Sequence, residues 1–495
     1  MGSARREREH LLPFHASPVA HTRLVSHDAA PPWPSTFEEG LDARLPSPVS
    51  LTPRRRSFLS ASPYTERQRR GPHDAGPSCS RLNHAPTVVH GTSSFHDALL
   101  NAINVLMGVG VLSCPFSLRS SGVLVGTLLF LFFSLVTNHT GKLLGKCLDY
   151  QDGMTTYPDI GEAAFGTKGR VIIGLTFFSE LFTACAMFFV LIGDTLAALL
   201  PSYTKTHLTI VVFFLIMPTM WTTNMSILSY FSILGILSSL FCLSVVLYVG
   251  VVMEPSASSP DTMGSLLHPQ PLQVIGDLDR IPLAIGLTMV AFGGHSVFPS
   301  ICSSMANKRE YPRVLDRSYV IVGLVYATIA LAGYLMYGTA TQKEITLNLI
   351  ATYPGVLTRL MIWMIALNPM SKIAITLHPV ALALEECLLS GKQKRAVARH
   401  RPGKGLVCFR AVLRTVLGTT ALCCALFVPY FARVTSFIGA FFSTLVSAIF
   451  PCMCYLKLFG HRISKMEVVL NAGLIGLSTL LMVVGTLASF LSPAE

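Results

Sequence analysis

Long apolar runs, each of roughly 20 residues, dominate this chain from residue 96 to residue 490. A run of that length crosses the ~30 Å hydrocarbon layer of a bilayer as a single helix. Only helices and closed barrels satisfy their backbone hydrogen bonds in lipid. Barrel strands alternate apolar and polar residues, whereas these runs are continuous. The runs therefore predict an all-α integral membrane protein.

The composition agrees with a protein that sits in a lipid bilayer. Hydrophobic residues make up 51% of the chain and charged residues 13%, whereas soluble domains carry about 25% charged residues. The net charge of +12 would suggest nucleic-acid binding in a soluble protein. Here Lys and Arg are expected on the cytoplasmic flanks of membrane helices. We therefore expect a lipid surrounding and no nucleic-acid partner.

The apolar runs divide into about eleven predicted transmembrane spans, which together form a domain over residues 93–490. Their approximate bounds are 96–118, 123–147, 170–199, 206–222, 227–252, 281–304, 317–338, 356–387, 407–429, 432–456 and 467–490.

Residues 1–92 differ from the rest of the chain. They are rich in Pro, Ser, His and Arg and contain no periodic apolar segment, so they cannot bury enough surface to offset their ordering entropy. We expect a disordered tail. Basic residues concentrate in this tail and after spans 6, 8 and 10. With eleven spans these segments all lie on one side, which places the tail in the cytoplasm.

Two spans carry a matching interruption. Span 1 contains Met-Gly-Val-Gly at 107–110 and span 6 contains Phe-Gly-Gly-His at 292–295. In each, a proline (Pro115 or Pro299) follows the second glycine by five residues. Spans 1 and 6 stand five apart and therefore run in opposite directions. This pattern predicts an inverted repeat whose first helices are broken near the bilayer midplane.

Broken helices of this kind can bind a zwitterion. Half-helix N-termini attract its carboxylate, and freed carbonyls accept from its ammonium group. The alternative is that the glycines only allow close helix packing. The predicted substrate-binding residues are Asn104, Gly108, Val109, Gly110, Ala291, Phe292, Gly293 and Gly294.

Ionisable side chains inside the bilayer are usually functional because they are costly to bury. Glu180 in span 3, His295 at the span 6 break and Lys372 in span 8 lie well inside their spans. Asp194 lies further along span 3, where it can simply reach the interface. Two structural alternatives remain open: His295 as a hydrogen-bonded packing residue, and Lys372 paired with a carboxylate between two helices.

Several stretches resemble a known family. They are residues 101–106, 108–113, 157–166 and 294–299, and the group Asn368-Pro369 with Lys372. Together they resemble eukaryotic vacuolar amino-acid transporters of the amino acid/auxin permease family, over roughly residues 93–490.

This resemblance implies eleven spans with a five-plus-five inverted-repeat core of the LeuT/APC type. It implies secondary active transport of neutral amino acids at the vacuolar membrane, with the proton as coupling ion and no other cofactor. The sequence Val-Ala-Phe at 290–292 departs from the aromatic or small polar residues common in the family. The side-chain specificity therefore stays open, as do a plasma-membrane location, transport of auxin or another small organic acid, and a role as an amino-acid-sensing transceptor.

The resemblance also concerns coupling. In inverted-repeat transporters sodium often lies between the broken span 1 and span 8, where this chain places Lys372. Its ammonium would be a tethered cation near the sodium position. We therefore expect sodium-independent, proton-coupled transport, with Glu180 or His295 carrying the proton and with Lys372 and Asn368 belonging to the coupling machinery.

Enzymatic and metal-binding functions find little support in the sequence. A membrane-embedded protease or acyltransferase needs paired catalytic groups at helical spacing, and Asp194 and His295 show no such motif. Cys452 and Cys454 form a C-x-C pair without a second pair at metal-ligand spacing. We expect neither enzyme activity nor a bound metal.

Deletion of residues 2–85 is expected to leave transport intact, because this segment offers no apolar face to the membrane core. The measurement is amino-acid flux in proteoliposomes containing equal amounts of inserted full-length or truncated protein. Loss of flux in the truncated protein would show that the tail has a structural role.

Overall fold

The computed structural model describes residues 93–108, 110–151, 153–221, 225–252, 265–389, 404–427 and 431–491. The tail predicted for residues 1–92 lies outside these ranges. Within them the regular structure is helical. The helices in chain order are α1 (Phe95–Leu106), α2 (Gly110–Leu148), α3 (Tyr157–Leu199), α4 (Lys205–Trp221), α5 (Met225–Val252), α6 (Ile281–Ala291), α7 (Phe298–Ser304), α8 (Tyr311–Tyr337), α9 (Ile345–Thr352), α10 (Val356–Leu388), α11 (Lys404–Phe427), α12 (Phe431–Phe459) and α13 (Lys465–Leu491).

The all-helical membrane architecture predicted from the sequence is confirmed. Among the described residues, eight helices are long and apolar enough to cross a membrane, namely α2, α3, α5, α8, α10, α11, α12 and α13. Helices α4 and α6 are shorter and also apolar. The count of eleven spans stays a prediction. An interrupted span divides into pieces that are each too short to cross, and α2 joins two segments across a turn.

Helix α2 has an exposed apolar face for contact with lipid and buried polar side chains further along the chain. Leu128, Leu131 and Leu135 lie on one face and are 58%, 56% and 69% exposed. Thr137 and Thr140, further along α2, are fully buried. Lipid tails are as apolar as leucine, so moving a leucine side chain from lipid into a helix interface contributes no hydrophobic free energy to helix association. The Thr140 hydroxyl instead makes a hydrogen bond to another helix, which is described below.

The turn inside α2 separates the second half of span 1 from span 2. Gly122 has a φ of +75° and a ψ of +166°, a conformation that only glycine adopts readily. The turn frees two backbone N–H groups. That of Val123 donates to the carbonyl of Gln273 (3.0 Å), and that of Leu124 donates to the carbonyl of Val274 (2.9 Å). The segment before α6 thus accepts the hydrogen bonds of the N–H groups that the turn in α2 frees.

Spans 1 and 6 run in opposite directions, as their offset of five spans predicts. At one end, Ser93 before α1 pairs with the end of α7: its N–H donates to the Ser304 carbonyl (2.9 Å) and its carbonyl accepts from Ala306 (3.0 Å). At the other end, Gly276 before α6 donates to the carbonyl of Ser121 (2.9 Å). The start of each span therefore lies beside the end of the other.

The two broken spans lie inside the bundle. Helix α1 packs against α8 and α5, and α2 lies along α6 and α8. Helix α10 lies along α3 and α5. Helices α12 and α13 cover α6. Every helix that carries a predicted functional residue therefore contacts at least one break or a helix beside it.

Helices α6 and α12 cross at a contact that excludes side chains. A Cβ added to Gly439 would overlap the carbonyl oxygen of Gly286, and one added to Gly286 would overlap the backbone of Ser436. The close approach lets the Ser436 hydroxyl donate to the Leu283 carbonyl at 3.1 Å. Glycine at these two positions therefore sets the distance between α6 and α12.

The substitution Gly286→Ala is expected to lower the thermal midpoint of the purified protein, because the added methyl group forces α6 and α12 apart. Overpacking of this kind destabilises by about 1–3 kcal/mol. Gly476→Ala on α13 is the matched control, since nothing lies within 4 Å of its added Cβ. Equal midpoints for the two variants would contradict the close crossing.

Candidate functional site

The two predicted breaks are present. Helix α1 ends at Leu106 and α2 begins at Gly110, while α6 ends at Ala291 and α7 begins at Phe298. Val109, one of the predicted substrate-binding residues, lies outside the described residues. The breaks adjoin each other. A Cβ on Gly110 would lie 2.6 Å from that of Ala291, and one on Gly294 would lie 3.2 Å from a methyl group of Leu106.

Lys372 of α10 reaches the break of span 1. Its ammonium nitrogen donates to the carbonyl of Asn104 at 3.3 Å and to the carbonyl of Met107 at 3.2 Å. Both carbonyls lie in the last turn of α1 or just past it, where no intrahelical N–H is available to them. Its partners among the described residues are these carbonyls and not a carboxylate. The geometry therefore corresponds to a tethered cation, and the alternative of a helix-pairing salt bridge has no partner here.

A small cavity of about 20 Å³ lies beside this lysine. Its polar lining comes from Gly108, Ser239, Asn368 and Lys372, and its remaining lining is apolar. A cavity of this size holds about one water molecule. It lies among the break of span 1, α3, α5 and α10, and no residue of span 6 lines it.

The side chains of the two predicted asparagines, Asn104 and Asn368, both lie beside Gly235 of α5. The Asn368 amide donates to the Gly235 carbonyl at 3.2 Å and to the Ser238 hydroxyl at 3.1 Å. A Cβ on Gly235 would approach the side-chain oxygen of Asn104 to 2.6 Å. That oxygen is buried and has no hydrogen-bond partner among the described atoms. Asn368 thus ties α10 to α5, while Asn104 presents an unused acceptor near the break.

Glu180 lies at the other break. Its two carboxyl oxygens accept hydrogen bonds from Ser296, in the non-helical part of span 6, and from Ser443 of α12, at 2.5 Å and 2.7 Å. The side chain is buried. Glu180 therefore joins α3 and α12 to the break of span 6, and its hydrogen bonds go to different elements from those of Lys372.

His295 occupies the same break and is fully buried. Its Nε2 lies 3.0 Å from the hydroxyl of Thr140, which in turn lies 2.6 Å from the carbonyl of Ser447. The hydroxyl has one hydrogen, which its neighbouring carbonyls accept, so His295 Nε2 is the donor. His295 Nδ1 then remains an acceptor without a partner among the described atoms. The His295 side chain therefore packs in the interior and keeps Nδ1 as an atom that can accept a proton.

Thr140 and Tyr157 donate hydrogen bonds to carbonyls in an unusual stretch of α12. Residues 438–443 and 445–449 are π-helical. A π-helix widens the turn and is common at functional sites. Here the Ser447 carbonyl accepts from Thr140 and the Val446 carbonyl accepts from the Tyr157 hydroxyl at 2.6 Å. The π-helical stretch thus presents backbone carbonyls to α2 and α3 beside Glu180 and His295.

One face of α8 holds both breaks through two tyrosines. The Tyr319 hydroxyl donates to the carbonyl of Phe292 at 3.1 Å, the residue after α6. The Tyr326 hydroxyl donates to the carbonyl of Leu106, the last residue of α1. It also accepts from the N–H of Gly108 at 3.3 Å. Seven residues separate these tyrosines, which places both on the same side of the helix.

The four predicted glycines differ in their surroundings. Gly110 and Gly294 face protein atoms, because an added Cβ would overlap Ala291 or the ring of Phe298. Gly108 and Gly293 have ordinary space for a Cβ, with nearest atoms at 3.7 Å and 3.4 Å. Loss of transport on substitution of Gly110 or Gly294 would thus follow from packing alone. Substitution of Gly108 or Gly293 reports on the ligand more directly.

Sequence reasoning grouped the candidate residues only by span. The structure brings Asn104, Gly108, Asn368 and Lys372 together at the first break, and Glu180, His295 and residues 292–294 at the second. It adds four residues that the sequence interpretation missed, namely Ser296, Tyr319, Tyr326 and Ser443. The seven-residue spacing of the tyrosines was a signal for a shared face. The two serines gave none.

The comparisons with known proteins agree on one family. Residues 91–491 match the family described as transmembrane amino acid transporter protein. Among curated relatives from Arabidopsis thaliana, amino acid transporter AVT1C is 34% identical over 80% of this chain and 68% of its own length. Amino acid transporter AVT1E is 31% identical over 95% of this chain and 90% of its own length.

Two solved structures show the same fold at low identity. One is a substrate-bound, outward-open Na⁺-coupled sialic acid symporter, with a TM-score of 0.51 and 13% identity over 80% of this chain and 90% of that one. The other is MhsT in complex with L-phenylalanine, with a TM-score of 0.50 and 11% identity over 79% and 98%. Both have the LeuT-type architecture that the family resemblance implies. These relatives and neighbours are transporters, in agreement with the expectation that the chain is not an enzyme.

Tyr326→Phe is expected to reduce the initial rate of substrate uptake by up to about tenfold. The variant removes the hydroxyl from the Leu106 carbonyl and the Gly108 N–H, which still bond each other at 2.8 Å, so the loss is that of an ordinary hydrogen bond, about 0.5–1.5 kcal/mol, and 1.4 kcal/mol corresponds to a factor of ten. Tyr334→Phe is the matched control. Its hydroxyl lies on the same helix and is equally buried, but accepts from Gln273 outside the breaks. Equal uptake by both variants at equal expression would show that Tyr326 does not hold the break.

Proposed function

Because the chain belongs to the family of transmembrane amino acid transporter proteins, we propose that it moves neutral amino acids across a membrane by secondary active transport. The proton is the coupling ion and the vacuolar membrane the location. The observation that carries the coupling part of the proposal is the ammonium group of Lys372 on the carbonyls at the break of span 1.

The position of Lys372 supports sodium independence. Carbonyls at the C-terminal end of a helix carry partial negative charge and attract a cation. Here a covalently attached ammonium group binds two of them. A sodium ion at the same place would compete with that ammonium group for carbonyls and would be repelled by its charge. The coupling ion is then the proton.

Glu180 is the proposed proton carrier. A serine hydroxyl both donates and accepts, so Ser296 and Ser443 can donate to the ionised carboxylate, and one of them can rotate to accept from the protonated carboxyl. Both protonation states therefore find partners without repacking. Since Ser296 belongs to the break of span 6, a change in the charge of Glu180 acts directly on that break.

The substrate part of the proposal rests on the breaks. Backbone groups around Gly108, Gly110, Gly293 and Gly294 would hold the carboxylate and ammonium groups of the amino acid. Apart from Lys372, the cavity beside the first break is lined by uncharged residues, which suits a substrate with a neutral side chain. The cavity holds about one water molecule, so an amino acid enters only after the surrounding helices move apart.

Two features of the sequence support the proposed location. The likeness of residues 101–113 to the first span of eukaryotic vacuolar transporters supports the vacuolar membrane. The basic segments before span 1 and after spans 6, 8 and 10 would then face the cytoplasm.

Purified protein in sodium-free proteoliposomes is expected to accumulate radiolabelled neutral amino acids when a pH gradient is imposed, and added sodium at fixed pH should leave the rate unchanged. Glu180→Gln should abolish the response to the pH gradient, because the amide cannot exchange a proton. Glu162→Gln on the same helix is the matched control, since Glu162 is exposed and paired with Arg170 at 2.5 Å.

Two results would contradict this proposal. One is flux that requires sodium at fixed pH. The other is a normal response of Glu180→Gln to the pH gradient, which would assign the proton to another residue.

Lys372→Ser offers a hydroxyl in place of the ammonium group and is expected to weaken proton-driven flux.

A further inference from the structure

Glu344 is a buried acid outside the two clusters described above. It precedes α9 in the segment that connects α8 to α9, and its side chain is fully buried. Neither carboxyl oxygen has a hydrogen-bond partner among the described atoms. An ionised carboxylate in such a place would lack both water and donors, which is strongly unfavourable.

The charges around Glu344 come from three elements. Asp194 near the end of α3 accepts from Lys205 at the start of α4 (2.6 Å) and from Lys343 (3.3 Å). These are the charged groups that act on Glu344. The two lysines bond the carboxylate of Asp194 at distances typical of ion pairs, whereas Glu344 receives no such bond.

Burial raises the pKa of Glu344, and the negative charge of Asp194 raises this pKa further, while Lys343 and Lys205 oppose that rise. The buried hydroxyl group of Thr346 lies beside the carboxyl group and also opposes the rise of this pKa, with a smaller effect than burial or Asp194. Since the neutral acid can donate as well as accept, the surroundings suit the protonated form better than the ionised one.

We propose that Glu344 is a second proton-binding site, at the end of the bundle where α3 ends and α4 begins. It takes up one proton from the compartment on that side to form a neutral carboxylic acid, and releases it when that compartment becomes less acidic. The proposal rests on the proposed function only for the assignment of this end to the non-cytoplasmic side.

The contacts of this segment show what the proton would control. The Arg119 guanidinium donates to the Thr341 carbonyl at 2.8 Å, and the side chain of Asn348 accepts from the N–H of Gln342 at 2.7 Å. Arg119 belongs to the stretch of α2 that begins at the break, at Gly110. Ionisation of Glu344 would drive its carboxylate toward water and loosen this segment. The second half of span 1 would then lose a support on the non-cytoplasmic side.

The test is the thermal midpoint of the purified full chain as a function of pH, for the unmodified protein, Glu344→Gln and the control Glu162→Gln. A raised pKa in the folded protein gives stability that is present at acidic pH and lost as the pH rises through that pKa. The midpoint of the unmodified protein and of Glu162→Gln should therefore fall as the pH rises from 4.5, the ordinary pKa of a glutamate, to about 8, and this contribution should be constant above that pH. That of Glu344→Gln should fall less, since its neutral amide mimics the protonated acid.

Infrared difference spectra between acidic and alkaline pH supply a second readout, because the carbonyl stretch of a buried protonated carboxyl group should be present in the unmodified protein and lost in Glu344→Gln. Parallel midpoint curves for Glu344→Gln and the unmodified protein would overturn the proposal, as would failure of Glu344→Gln to fold when Glu344→Asp folds. Neither readout requires transport, so a protein that carries no amino acids could still bind this proton.

Discussion

Two helices are interrupted inside a membrane-embedded bundle, and the interruptions leave backbone groups that lipid cannot satisfy. Much of the interior is arranged around this constraint. At the first break the carbonyls of Asn104, Leu106 and Met107 receive bonds from Lys372 and Tyr326. At the second, the carbonyl of Phe292 receives a bond from Tyr319. Three side chains from α8 and α10 thus replace the missing helical hydrogen bonds.

This arrangement links the two breaks mechanically. Tyr319 and Tyr326 stand on one face of α8, so any rotation or shift of that helix changes the hydrogen bonds at both breaks together. Direct contact between Gly110 and Ala291 adds a second link. The break of span 6 is also tied through Glu180 to α3 and to the π-helical part of α12. A charge change at Glu180 and a movement of α8 therefore act on the same short segment.

The sequence predicted the features that depend on local chemistry. Paired glycines with a following proline gave both breaks, and the odd offset between the spans gave their opposite directions. The resemblance to inverted-repeat transporters, in which sodium often lies between spans 1 and 8, placed Lys372 at the first break. The partners themselves required the fold. Tyrosines and serines within apolar runs look like ordinary packing residues until neighbouring helices are known. Gly110 and Gly294 looked like ligand contacts, yet an added Cβ at either meets protein atoms. Glu344 gave no signal in the sequence, because its burial depends on the fold.

The backbone at the two breaks is the proposed substrate site, and a cryo-EM map of the protein in lipid nanodiscs with a transported neutral amino acid bound would test this. Density for the amino acid is expected between residues 107–110 and 292–294, with its carboxylate and ammonium groups on backbone atoms and Lys372 still at the first break. Density elsewhere, with both breaks unchanged and unoccupied, would contradict it.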